Sequence, residues 1–164
     1  MKFIKVVADK LLIFPKQENK EQIDFTSPKS FDWFLDFEKR RSLRNGGVVC
    51  VLQVDFTKMV GYTRKVFSTN HFIKKCWKGV QAIMRESDIG FVFGHNIKII
   101  LTNTGKEGAE LVGERMYENL ESLLEKELTS NDIKSALEIE LFVWDYKTKR
   151  KYKAVINERD YVDN

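Results

Sequence analysis

The chain is poor in the residues that define several large protein classes. It carries only two cysteines, Cys50 and Cys76, in 164 residues. Cys50 sits inside an apolar run and Cys76 on an apolar helical stripe, at a spacing that fits no zinc or CxxC pattern. A disulfide scaffold, a zinc module and a dithiol redox centre are therefore excluded, and a reducing cytoplasm is the expected setting. No segment reaches the ~20 apolar residues of a membrane-spanning helix. Lys2, Lys5, Asp9 and Lys10 break up the apolar N-terminus, which argues against a secretory signal. Direct membrane insertion is not expected, and work at a membrane would require another subunit. The two histidines, His71 and His95, lack a second ligand of suitable type and spacing. Each is read as a locally bonded or water-facing side chain, and no metal or other cofactor is expected. Low-complexity tracts and internal repeats are missing as well.

What is present describes a folded domain. Apolar residues make up 43% and aromatics 12% of the chain, with twelve phenylalanines, enough for one well-buried core and too little length for two. Charged residues reach 32% and are mixed in sign. The net charge of +4 and pI near 9.0 favour anionic partners only as a weak field effect.

Residues 1 to 14 read equally as a hairpin turning at Asp9-Lys10 or as a short amphipathic helix, and Pro15 ends the element. A polar linker containing Pro28 follows. Ser30 is a candidate N-cap for a helix carrying Phe31, Phe34, Leu35 and Glu38, stopped by Asn45-Gly46-Gly47. Val48 to Phe56 is a β-branched apolar run, the profile of a central strand covered on both faces, with Gln53 and Asp55 at its far end. Phe72, Ile73, Cys76, Trp77, Val80, Ile83 and Met84 mark one face of a helix from about Ser68 to Glu86. A hairpin over 89 to 103 comes next, then a third helical stripe from Ala109 to about Glu127, then a strand over Leu137 to Trp144 that Asp145 to Arg150 turns into another. The order α-β-α-β-β-α-β implies an α+β sandwich, with an antiparallel or mixed central sheet and helices on one face, of ferredoxin or polymerase-palm type. The expected division is an N-terminal extension and linker over 1–29, a domain over 30–146, and a polar basic tail over 147–164.

The stretch Arg85-Glu86-Ser87-Asp88-Ile89-Gly90-Phe91-Val92-Phe93-Gly94-His95-Asn96-Ile97 reads as strand, tight turn, strand. Together with Gln53-Val54-Asp55-Phe56-Thr57-Lys58-Met59-Val60-Gly61, it resembles the signature of GGDEF (diguanylate cyclase) domains over roughly residues 30 to 128. The resemblance rests on order and spacing more than on identities. It places Gln53 where active members carry a metal-binding Asp, keeps Asp55, puts Gly61 at the guanine-recognising Asn, and puts Asn70 at a later Asp. At the turn Phe93 replaces a glycine, Gly94 is kept, and His95 and Asn96 replace the two acids. A divalent cation in phosphoryl chemistry is held mainly by anionic oxygens, so this set implies a degenerate cyclase site with no catalytic residues.

Arg85 and Asp88 match the RxxD inhibitory site of that family, in which Arg grips cyclic di-GMP and Asp accepts from a base. A bidentate guanidinium beside a carboxylate suits a guanine nucleotide. The spacing to the turn is about one residue shorter than in the common family pattern, and a plain helix-end pair at i, i+3 is the competing account. The family also closes with a helix and strand that residues 146 to 164 do not match.

The reading that follows is a catalytically inactive GGDEF-like regulatory or interaction domain of a bacterial signalling system. A protein partner is expected, and cyclic di-GMP is a candidate ligand at Arg85 and Asp88. Two readings compete with it. One is an active nucleotidyl-transfer enzyme with a metal site rebuilt around Asp55 with help such as Asp88. The other is a ferredoxin-like nucleic-acid module using Lys147, Lys149, Arg150, Lys151 and Lys153, which is disfavoured because the strands show no exposed aromatic signature.

Overall fold

The computed structural model describes residues 25–63 and 68–156. The element expected over residues 1 to 14 lies outside them. Helix α1 spans Pro28–Asn45 and starts earlier than Ser30, with Ser27 at the N-cap, because Pro28 supplies a preset φ in the first turn. It stops at Gly46, whose φ of 62° is left-handed, and the Gly47 amide closes the end on the Ser42 carbonyl at 2.8 Å. Strand β1 covers Val48–Asp55. Two elements the periodicity did not show are short helices: α2, Thr57–Thr63, and α5, Ser130–Ala136. Each is about two turns long, too short for a stripe, and each is nucleated by a side chain. The Asp55 carboxylate accepts from the Thr57 amide at 2.8 Å, and the Thr129 hydroxyl accepts from the Asp132 amide at 3.2 Å.

Helix α3 runs Thr69–Ile83, capped by Ser68. It ends short of Glu86 because Met84 turns extended and Asp88 captures the Arg85 amide. The hairpin is β2, Ile89–Phe93, and β3, Asn96–Leu101. Helix α4, Lys106–Leu124, and strands β4, Glu138–Asp145, and β5, Arg150–Ile156, complete the order. Part of the expected basic tail is thus a fifth strand paired to β4.

The sheet has order β2-β3-β1-β4-β5, and all neighbours are antiparallel. Alternation divides β1 between two cores. Cys50, Leu52 and Val54 face α3, α4 and α5 in the main core, whereas Val51 joins Phe31, Ile89, Phe91 and Ile100 in a second cluster. Helix α1 covers that second face, so the helices do not all lie on one side. The apolar character of both faces of β1 is what requires the extra cover. Close approach is needed where α3 crosses β2, since a methyl group at Gly90 would run into the Trp77 ring.

Candidate functional site

The antiparallel register places the site residues in two rows across the face that α1 only partly covers. One row runs Phe91, Lys98, Gln53, Glu140. The next runs Phe93, Asn96, Asp55, Glu138. Beyond the second row Phe93 and Asn96 are joined by a two-residue turn in which Gly94 takes φ 56°, the left-handed position that favours a residue without Cβ. The Phe56 amide donates to the His95 carbonyl at 2.9 Å, which ties the turn to the end of β1.

A cleft of about 380 Å³ opens over these rows. Its walls are Gln53, Asp55, Phe93, Asn96 and Lys98 from the sheet, and Pro28, Phe31 and Asp32 from the start of α1. Gln53, Asp55, Phe93 and Asn96 therefore share one cleft wall. Gly61 on α2 and Asn70 in the first turn of α3 are exposed and form no part of the wall. His95 contributes its carbonyl to the turn, while its half-buried side chain stays outside the wall.

Lys98 was not visible as a site residue in the sequence, yet it supplies an ammonium to a cleft wall that also carries the carboxylates of Asp32 and Asp55. Its ammonium lies 5.1 Å from the Phe31 ring centre and 5.9 Å from that of Phe93. Among the described residues no ion pair or hydrogen bond holds it. Beside it the Asn96 Oδ1 is buried with no partner among the described residues. The signal available in the sequence was strand alternation, since Lys98 stands two positions after Asn96 and shares its face.

These residues do not fit a divalent cation. Two amides and an ammonium stand in the rows, and one oxygen of Asp55 is engaged with the Thr57 amide. Glu138 and Glu140 are matched by Lys58 and Lys153. Among the described residues no three His, Cys, Asp or Glu side chains are placed to hold a metal.

Arg85 and Asp88 lie at the opposite end of β2 from the turn, so Asp88 does not join Asp55. Asp88 is 3% exposed and accepts from the amides of Arg85, at 2.8 Å, and Thr102, at 3.3 Å. Burial raises its pKa, against the lowering effect of those two bonds and of Arg85. Arg85 itself is exposed. Elsewhere on the same sheet face Phe142 and Trp144 stack at 6.4 Å, with the ammonium groups of Lys153 and Lys39 over them at 5.3 and 4.5 Å.

Strand order, the hairpin and the helices define an α+β fold of the GGDEF-domain type. Solved structures similar to the chain are the GGDEF domain of TpbB (YfiN) from Pseudomonas aeruginosa and that of DgcB from Caulobacter crescentus in complex with c-di-GMP. The first is 12% identical with a TM-score of 0.53, covering 77% of this chain and 74% of that one. The second is 13% identical with a TM-score of 0.55, covering 79% of each chain. At these identities the likeness is one of fold. No protein-family model and no curated relative matches the chain. No helix among the described residues is long and apolar enough to cross a membrane.

Proposed function

We propose that this is a GGDEF-fold domain that works by binding, in the bacterial cytoplasm, and does not join nucleotides. The observation that carries the reading is the row in which Lys98 faces Gln53, next to the row in which Asn96 faces Asp55. Phosphoryl transfer on this scaffold needs anionic oxygens to place its ions, and this arrangement puts an ammonium and two amides there instead. The partner is a protein, and its contact surface includes strand β5, an edge strand among the described residues, with exposed Tyr152 and Val155. Cyclic di-GMP is the proposed regulator at Arg85 and Asp88. Arg85 presents the guanidinium, and the buried Asp88 fixes the turn that presents it.

Incubation with GTP and Mg²⁺ or Mn²⁺, followed by chromatography, should yield no cyclic di-GMP. Turnover that Asp55→Ala abolishes would overturn the proposal. Calorimetry with cyclic di-GMP on the wild type and on Arg85→Ala tests the regulatory part separately.

A further inference from the structure

We infer that the outward face of α1 is a self-association surface, on which a second copy of this chain seats the same helix in antiparallel order. The surface lies apart from the cleft and from strand β5, and the inference does not depend on what either of them binds.

A helix that covers a sheet with one face should turn polar side chains to water with the other. Helix α1 does so incompletely. Of the seven exposed large hydrophobic residues among those described, three stand on it: Trp33 at 61% exposure, Phe37 at 50% and Leu43 at 64%. With 3.6 residues per turn, all three project away from Phe31, Glu38 and Ser42, the buried residues of the helix. Trp33 and Phe37 stack at 5.9 Å with their planes 12° apart, so the apolar surface is continuous across one turn.

The charges on the same face identify what covers it. Asp32 and Asp36 occupy its N-terminal half, Arg40 and Arg44 its C-terminal half, and all four are exposed. Within the chain only Asp36 and Arg40 pair, at 3.5 Å between side chains that are 64% and 76% exposed, so little is lost when they exchange partners. Asp32 and Arg44 have no ion-pair partner among the described residues. Turned end for end about a two-fold axis level with Glu38, two such faces set Asp32 against Arg44, Trp33 against Leu43 and Asp36 against Arg40 of the second copy. The symmetry makes each contact twice. Parallel order would put like charges together at both ends, and a partner of one charge sign would be repelled by half of the face. The complement of this surface is the surface itself.

An 18-residue helix is about 27 Å long, so contact through it falls at the small end of specific interfaces. The dimer should accordingly build up only at protein concentrations of about 100 µM and above.

Sedimentation equilibrium of the full chain, from about 10 µM to about 1 mM, should show monomer converting to dimer. The pair Arg40→Asp and Arg44→Asp makes the face wholly acidic, and the pair Asp32→Arg and Asp36→Arg makes it wholly basic. Each double variant alone should associate about tenfold or more weakly than wild type, and mixing the two should restore the dimer. Trp33→Ser should weaken association without any change of charge. All these positions are exposed, and thermal melting checks that the variants fold. Orientation is read by mixing Asp32→Cys with Arg44→Cys under mild oxidation, where the mixed disulfide should exceed both homodimers, the two native thiols being buried. A chain that stays monomeric at the highest concentration, or a dimer indifferent to the α1 variants, overturns the inference. Equal yields of mixed and like disulfides overturn the antiparallel order.

Discussion

The carboxylate of Asp88 accepts a hydrogen bond from the backbone amide of Arg85 at 2.8 Å, so the two residues are joined through the main chain at the turn into β2. The second oxygen reaches the Thr102 amide at the end of β3. Asp88 thus stitches the exit of α3 to the hairpin, while Arg85 stays at the surface. Asp88→Ala should leave two amides without their acceptor and cost about 1–3 kcal/mol in denaturant unfolding. Arg85→Ala should stay within about 0.5 kcal/mol of wild type.

Titration of Asp88 gives a pH signature. Its pKa in the folded chain is raised, chiefly by burial. The folded state therefore binds the proton more tightly than the unfolded state. The stability contributed by that protonation is fully present below the ordinary carboxylate pKa and is lost as pH rises through the elevated folded value. The difference in unfolding free energy between wild type and Asp88→Asn should accordingly fall as pH rises through the acid range and level off above it. A difference that grows with pH would contradict the raised value.

Much of this architecture was legible in the chain. The stripe of Phe72, Cys76, Trp77 and Val80 is the buried face of α3, and the run from Val48 gives a strand buried on both faces, as its composition requires. What escaped was set by single side chains or by sheet register. The short helices depend on Asp55 and Thr129, which no periodicity reveals. The position of α1 on the far face follows from aromatic contacts such as Phe31 with Phe91, at 5.3 Å between centres. Lys98 was passed over because its meaning comes from standing opposite Gln53, a relation between strands that lie far apart in sequence.

The α3–β2 crossing gives a packing test. Gly90 lies under the Trp77 ring, so Gly90→Ala forces the ring or the strand to move, at about 1–3 kcal/mol. Trp77→Phe removes the obstructing atoms at the cost of a cavity. In the double variant the alanine should cost less than it does beside tryptophan, and a double-mutant cycle on chemical denaturation reads the coupling directly.

Both thiols should be inert in the native protein. Burial pushes the pKa of Cys50 and that of Cys76 up to about 12, and the Cys50 thiol donates to the Thr104 carbonyl at 3.3 Å. Since the thiolate is the reactive form, an aromatic disulfide reagent at neutral pH should label neither until the chain unfolds. The labelling rate should track the unfolding equilibrium across a denaturant series. Rapid labelling of one thiol in buffer would mean that its surroundings open locally.

The cation preference of the cleft can be inverted by design. In an antiparallel sheet, directly opposed residues hold their Cβ atoms about 4.5–5.5 Å apart, and the opposed pairs here are Gln53 with Lys98 and Asn96 with Asp55. Replacing Gln53 with Asp and Asn96 with Glu would set three carboxylates on neighbouring positions of one face, while Lys98→Ala removes the ammonium that repels a cation. The combined variant Gln53→Asp, Asn96→Glu, Lys98→Ala should bind Mn²⁺ in a paramagnetic resonance titration, where the wild type leaves the free-ion signal unchanged. Retaining Lys98 in the otherwise identical variant should weaken Mn²⁺ binding about tenfold or more, because a cation a few ångströms away in a partly desolvated cleft costs more than about 1.4 kcal/mol. Equal Mn²⁺ affinity with and without Lys98 would show that the ammonium does not govern the charge of this site.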